Sequence, residues 1–309
     1  ATEYITVENN AALNLGRAVP ATPPITLSGK KIILNGPGIS SSGALRNVAG
    51  VNTVSSDVML NNNSTITNAG GTLNLTNIGK VVGGALDWDL TFTGTNAINI
   101  LSTGSIGSIN GSLPLGNLIK RDGGLLTISG PCNFTGGITL FNNAELQIGN
   151  NNLLPATAGL NLQQNAKFRT GGFSQQLGVL RLSGSQNASN STIVLTAGVN
   201  HSIRFASSRD ASWNATRTLI VSNWTGTAAG AAANSGKIFV DPFDASTPGL
   251  TEQQLSQIQL GSNCPGAELL PSGELVPSLK PSITTVRGSN IGGIGTPINW
   301  AGYVGSTIT

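Results

Sequence analysis

The chain has 309 residues, a net charge of +3 at pH 7 and only 9% charged residues, against about 25% in ordinary soluble domains. Because 39% of the residues are hydrophobic, the composition excludes intrinsic disorder, which combines few apolar residues with high net charge. So small a charge, scattered along the chain, also excludes the concentrated basic surface that nucleic-acid binding needs. We therefore expect a packed protein whose polar groups are mostly amides and hydroxyls.

Short runs in which apolar residues alternate with Thr, Ser or Asn dominate the chain, and Gly or Asn pairs separate them. They include residues 25–27, 72–75, 90–92, 98–100, 138–140, 146–148 and 160–162. A period of two predicts strands with one buried face. Strands this short do not form a stable hairpin sheet, so we predict an all-β, single-stranded right-handed parallel β-helix of stacked coils.

The low charge has a physical cause in such a solenoid. Like charges on adjacent strands repel, whereas stacked Thr, Ser and Asn side chains do not. At about 20 residues per coil and roughly 4.8 Å per step, the rod would measure roughly 60–70 Å. A β-sandwich is the structural alternative, but it favours longer strands and more regular turn spacing.

One stretch, residues 250–258, has a helical pattern. Thr251 and Gln254 match a capping box, and Leu255 and Ile258 would fall on one face of the helix. We predict a short surface helix that covers the last coil of the solenoid.

Two regions follow from these patterns: a β-helix over residues 1–277, with a terminal cap at about 205–277, and a β-prone tail over 278–309. The open ends of a solenoid are edge strands that must be capped or paired. Strand-like segments near both ends of the chain could therefore join subunits by adding a strand to a neighbour. The predicted subunit-contact residues are Tyr4, Ile5, Val7, Ile283, Val286, Ile298, Trp300, Tyr303 and Val304.

Asp87 and Asp89 are the closest acid pair expected on one strand, where residues two apart share a face. They are weak candidates for calcium ligation or sugar binding, and a solvated strand face is the plainer interpretation. The single histidine, His201, is expected on the outer face of a strand. One His and two Cys exclude clustered zinc ligands, and no nucleotide-binding motif occurs. We expect no cofactor and no enzymatic activity, with a polysaccharide-active enzyme as the remaining catalytic alternative.

Cys132 and Cys264 leave two alternatives, buried free thiols or a disulfide that staples a central coil to the C-terminal region. Trp213 and Trp224 are expected to pack the end of the solenoid. No run of 18 apolar residues occurs, so we predict no transmembrane helix.

Several segments resemble the bacterial autotransporter-associated (passenger-associated) β-strand repeat. One repeat is matched by residues 123–130 (GGLLTISG), 133–140 (NFTGGITL) and 144–149 (AELQIG). The stretches 34–39 and 43–53 resemble the region that precedes such repeats. Residues 205–213, 219–226, 250–255 and 269–277 resemble the closing region of these proteins, and the tail 278–309 runs past it.

The resemblance implies a right-handed parallel β-helix, export, and display at the bacterial cell surface or beyond it, without a single activity. We therefore expect a secreted structural protein, a rod-like building block of an extracellular fibre, filament or adhesin. Its expected partners are further copies of itself, head to tail, or a surface or host glycan or protein. The alternatives are a monomeric stalk of a larger adhesin and a carbohydrate-binding or carbohydrate-active β-helix passenger.

Overall fold

The computed structural model describes residues 3–16, 23–81, 87–107, 114–184, 190–241, 247–261 and 264–278, and these are nearly all β. The strands of the first half are β1 (Tyr4–Val7), β2 (Leu13–Leu15), β3 (Thr26–Leu27), β4 (Lys31–Leu34), β5 (Leu45–Asn47), β6 (Val51–Val54), β7 (Val58–Leu60), β8 (Ser64–Asn68), β9 (Thr72–Lys80), β10 (Leu90–Thr93), β11 (Ala97–Ile106), β12 (Leu118–Arg121), β13 (Leu125–Ile128) and β14 (Ile138–Phe141). Those of the second half are β15 (Glu145–Ile148), β16 (Leu160–Gln163), β17 (Lys167–Arg169), β18 (Gln175–Ser183), β19 (Ser191–Val194), β20 (His201–Ala206), β21 (Leu219–Ser222), β22 (Gly226–Thr227), β23 (Gly230–Ala231), β24 (Gly236–Val240), β25 (Ile258–Leu260), β26 (Cys264–Pro265), β27 (Ala267–Leu269) and β28 (Leu275–Pro277). One 3-10 turn covers Ile39–Ser41, and the helix α1 covers Glu252–Ser256.

Two long sheets contain most of these strands. The first has 14 strands and runs from β1 through β4, β7, β9, β11, β13, β15, β17, β19, β21 and β25 to β26, with β3 and β6 beside this path. The second has 10 strands, in the order β2, β5, β8, β10, β12, β14, β16, β18, β20, β24. The chain alternates between the two sheets and pairs in parallel with the coil before, so the predicted parallel β-helix is confirmed.

The coils are longer than the sequence pattern indicates. Leu126 pairs with Leu146, a step of 20 residues, but Val221 pairs with Leu260, a step of 39. Eleven parallel strands stand between β1 and β25 inclusive, which is ten steps and a length of about 48 Å. The rod is therefore shorter than expected, because turns and insertions take up residues that add no further coil.

Inward side chains stack into columns along the axis. One column in the first sheet consists of Leu73, Ile98, Leu126, Leu146, Phe168, Ile193 and Val221, all of them fully buried. Burying a side chain of this size stabilises the folded state by about 1.5–3 kcal/mol. The column exists because alternate residues of every strand point inward in the same register. A register shift of one residue would turn a strand's inward side chains to the solvent.

Outward side chains of the first sheet form a neutral column. The Asn99 amide donates to Oδ1 of Asn74 at 3.0 Å, and the Asn74 amide donates to Oγ1 of Thr53 at 3.4 Å. Amides and hydroxyls can both donate and accept, so they stack at the coil spacing without repulsion. This arrangement agrees with the cause inferred above for the low charge.

Where charges do stack on this face, they alternate in sign. Glu145 lies opposite Lys167, whose Nζ is 2.8 Å from Oε1, and Nη2 of Arg169 is 2.7 Å from Oε2. Burial alone would raise the pKa of the Glu145 carboxyl, but the hydrogen bonds from both cations lower it overall.

The C-terminal helix is present with its predicted cap. The Thr251 side chain accepts from the backbone N–H of Gln254, and the Gln254 side chain accepts from the backbone N–H of Thr251. The predicted extent was wrong at the C-terminal side, because Ile258 starts strand β25 and pairs with Leu219 instead of continuing the helix. The amide of Gln254 is buried and donates to the carbonyl of Ser208 at 2.9 Å, which fixes the helix against the preceding loop.

A corner of the first coils is filled by buried amides. Asn52 donates to Oδ1 of Asn47, Asn47 donates to Oδ1 of Asn68, and Asn68 donates to the carbonyl of Ala97. All three asparagines are fully buried. Their side chains satisfy one another and the turn backbone, as buried polar groups must.

Lys120 occupies an inward position of β12, where it pairs with Phe92, and it is fully buried. Its Nζ donates to three backbone carbonyls, those of Gly94 at 3.4 Å, Arg121 at 2.6 Å and Asp122 at 2.8 Å. Burial lowers the pKa of this ammonium to about 8, although the nearby carboxylates of Asp122 and Glu145 act in the opposite direction.

We expect the free energy of unfolding of the native chain to rise, relative to Lys120→Met, as the pH increases from about 8 to about 10.5. The folded state loses the Lys120 proton at a lower pH than the unfolded chain does. The resulting rise in the free energy of unfolding is at most about 3 kcal/mol. Urea unfolding of both proteins at several pH values measures the difference.

The carbonyls left without a donor in Lys120→Met shift its stability by an amount that does not depend on pH. The Cys132 thiol, whose pKa is raised by desolvation, acts equally in both proteins and cancels. Lys237→Met, on the outer face of β24, is the matched control and should keep the native slope. A pH-independent difference between native protein and Lys120→Met would contradict the lowered pKa.

Candidate functional site

The acid pair of the sequence analysis lies just before β10, and not on a strand as predicted. The backbone N–H of Asp89 donates to Oδ1 of the Asn63 side chain at 2.8 Å, where a strand residue would donate to a neighbouring carbonyl. Regular pairing begins only at Leu90, which matches Ser64 of β8.

Asp89 is one member of a column of side chains that cap backbone N–H groups. Asn63 accepts from Asp89, Oδ1 of Asp89 accepts from the N–H of Asn117 at 2.7 Å, and Oδ1 of Asn117 accepts from the N–H of Gly137 at 2.9 Å. Each of the four residues directly precedes a strand of the second sheet. The Asp89 carboxylate therefore has a structural role in coil stacking, which the sequence pattern did not predict.

Asp87 makes different contacts. Its Oδ2 accepts from Oγ1 of Thr135 at 2.8 Å, and its Oδ1 is 3.6 Å from Nζ of Lys80. The Asp87 side chain is about half exposed (51%), whereas Lys80 is buried. The two carboxylates thus face different partners, and no group of three or more His, Cys, Asp or Glu side chains in the described residues could hold a metal ion.

His201 was expected on the outer face of a strand, but the structure buries it. Nδ1 lies 2.8 Å from the carbonyl of Val199, which can only accept, so Nδ1 carries the proton. Nε2 lies 2.7 Å from Oγ1 of Thr170, within hydrogen-bonding distance. Both ring nitrogens are used by the coil itself, and the ring lies against Gly236 of the next coil.

The disulfide alternative is excluded within one chain. Cys132 is a free thiol in the coil that contains β13, and Cys264 belongs to β26, six strands further along the first sheet. Six steps amount to about 29 Å, whereas a disulfide needs Cα atoms within about 7 Å.

The predicted packing role of two tryptophans agrees with the structure. Trp213 and Trp224 both pack against the hydrophobic core near the C-terminal coils, and Nε1 of Trp213 donates to the carbonyl of Leu180 at 3.0 Å. Trp88 also packs against the core. Trp300 lies outside the described residues.

At the N-terminal end of the described rod, the outer edge of β1 has no partner among the described residues. The carbonyl of Glu3 accepts from the N–H of Lys31 in β4, and that of Val7 accepts from the N–H of Asn35 directly after β4. The alternating backbone therefore directs the N–H and C=O of Tyr4 and Thr6 to the opposite edge. No described residue pairs with that edge. The first strand of the second sheet, β2, shows the same feature at Asn14.

The C-terminal end is closed by reversal of the chain. Strand β26 runs antiparallel to β25, and the N–H of Val240 in β24 donates to the carbonyl of Gly273 at 3.0 Å. Pro265 and Pro277 lie in the closing strands and have no N–H to offer a further strand. The two ends of the solenoid therefore differ in their capacity to pair.

Of the predicted subunit-contact residues, three lie in β1. Tyr4 is the most exposed (56%) and Ile5 is half-buried. Val7 has its side chain in the core and its carbonyl bonded to Asn35, so it offers no group to a neighbour at the outer edge. The six others, between Ile283 and Val304, lie outside the described residues.

Comparison of the chain with protein-family models, curated proteins and solved structures finds no match. In the part of the chain that the structure describes, no helix is long and apolar enough to cross a membrane.

We expect Asp89→Ala to lower the free energy of unfolding by about 1–2 kcal/mol, because the N–H of Asn117 loses its acceptor. Asp89→Asn retains an acceptor oxygen and should cost much less. Urea unfolding measures both, with Asp210→Ala at an exposed position as the control. Equal losses of unfolding free energy for Asp89→Asn and Asp89→Ala would mean that the charge of Asp89, and not its hydrogen bond to Asn117, stabilises the protein.

We expect Gly236→Ala to destabilise the protein by about 1–3 kcal/mol, since a Cβ there would stand 2.6 Å from the His201 ring. Gly123→Ala is the matched control, because its Cβ would meet nothing closer than 3.9 Å. Thermal unfolding followed by circular dichroism compares the two variants. Equal melting temperatures would show that the ring moves aside at little cost.

Proposed function

We propose that this protein is an exported structural rod that assembles head to tail into an extracellular fibre or filament at the bacterial surface, without enzymatic activity. The observation that carries the proposal is the difference between the two ends. An unpaired parallel strand edge is a template for pairing with another chain, and β1 provides one.

The hydrogen bonds along the sides of the rod support the same role. Neutral columns such as Thr53, Asn74 and Asn99 use much of their hydrogen-bonding capacity within the coil stack. The carboxylate of Asp89 is used in the same way. Contacts of these kinds favour a rigid rod, and among the described residues β1 and β2 leave unpaired parallel edges at its N-terminal end.

A contact between two different ends of the same molecule is heterologous. Such a contact repeats without closing when each subunit leaves its free end available, and it then gives a filament. A subunit length of about 48 Å sets the axial repeat expected along it.

The purified chain should form linear particles whose length increases with concentration. Light scattering gives the mass distribution, and negative-stain electron microscopy gives an axial repeat of about 50 Å. A monodisperse monomer at every concentration, or globular aggregates without an axial repeat, would contradict the filament. Surface labelling of the producing cells tests export separately.

A further inference from the structure

The way in which the rod ends can be joined follows from their backbone geometry. The C-terminal end offers the antiparallel strand β26 with Pro265, so flat stacking of one rod on the next lacks a continuous row of donors. A strand supplied from elsewhere is needed to use the outward groups of Tyr4 and Thr6.

We propose that residues 281–286 of one copy pair with the outer edge of β1 in a second copy. This assignment rests on the proposed function and names the two surfaces of the joint. The acceptor is the outward backbone of Tyr4 and Thr6, and the donor is the first strand-prone segment of the tail (PSITTV). Main-chain hydrogen bonds provide the affinity in such strand addition.

The length of the tail decides between a second copy and the same molecule. Ser278, the last described residue, lies at the C-terminal end, where its N–H donates to the carbonyl of Gly266. Val286 lies eight positions beyond it, and an extended chain spans at most about 29 Å over that number of residues. The edge of β1 in the same rod is about 48 Å away along the axis, so residues 281–286 reach only a neighbour stacked end to end.

The second strand-prone segment, residues 298–304, begins 20 residues beyond Ser278, and an extended chain of that length spans at most about 72 Å. It could therefore reach the β1 edge of its own molecule. Closure of the rod by that segment would give a monomer, which the experiment separates from donation to a second copy.

The edge itself is suited to accept a strand. Tyr4–Val7 contains no Pro, no Gly and no charged residue, the features with which proteins usually protect a strand edge. The Lys30–Glu3 ion pair, with 2.6 Å between Nζ and Oε2, lies at one end of the strand and leaves its edge open.

Two variants of the full chain isolate the two surfaces. A chain ending at Ser278 lacks the donor and keeps the acceptor. Thr6→Pro keeps the donor and removes the outward N–H of Thr6, a change that the β4 side of β1 does not feel because that N–H faces away from it. Thr6→Ala retains the N–H and is the matched control.

Each variant alone should be a monomer, Thr6→Ala should polymerise like the native chain, and the two variants mixed should form one-to-one dimers. Light scattering coupled to size-exclusion chromatography reads these masses, and circular dichroism checks that both variants remain folded. Filaments from the truncated chain would overturn the tail as donor, and filaments from Thr6→Pro would overturn β1 as acceptor.

A peptide of residues 279–290 separates failure of this joint from failure of the proposed function. It should bind the truncated chain, and binding should fall about tenfold or more with Thr6→Pro in the same background. If the native chain does not polymerise but the peptide binds, the filament fails and the acceptor edge stands. If only a peptide of residues 295–309 binds, closure within one molecule replaces donation and the inference is wrong.

Discussion

Each strand of the two long sheets is held by hydrogen bonds to the equivalent strand one coil away, and the rest of the molecule depends on this parallel pairing. Segments of three to five residues bury too little surface to be stable in isolation. Stacked in register, they give a continuous core, because residues such as Leu126 and Leu146 fall directly above one another. The stacking distance is set by the backbone, so every side chain must tolerate a like neighbour at that spacing.

The polar side chains of the protein form favourable contacts at this stacking distance in three ways. On the outer face, amides and hydroxyls such as Asn74 and Thr53 bond along the axis. Before the strands of the second sheet, Asp89 and Asn117 accept from backbone N–H groups of the following coil. On the inner side of a turn, the Lys120 ammonium group donates hydrogen bonds to the backbone carbonyls of Arg121 and Asp122. Residues that resemble a catalytic or ligand-binding set in the sequence are thus used in building the stack.

The sequence was sufficient to predict the fold class, the capping box at Thr251 and the packing role of Trp213. Those features depend on local pattern, which a single chain displays. The surroundings of His201 and Asp89 were predicted wrongly, because both depend on which residue lies one coil away. Coil lengths between 20 and 39 residues hide that register from any fixed period. A repeated Asn or Asp directly before a strand, as at Asn63 and Asn117, was the signal that could have revealed the capping column.

The sequence by itself determined that the chain forms short one-sided strands with little charge, and these properties lead to a neutral parallel solenoid. Only the tertiary structure decided what happens at its ends, because an edge is open or closed according to the direction of the last strand placed on it. The reversal at β26 closes one end, whereas no described residue pairs with the outward backbone of Tyr4 and Thr6 at the other. Alternation predicts a strand in both places, but it carries no information about whether a neighbour lies beside that strand.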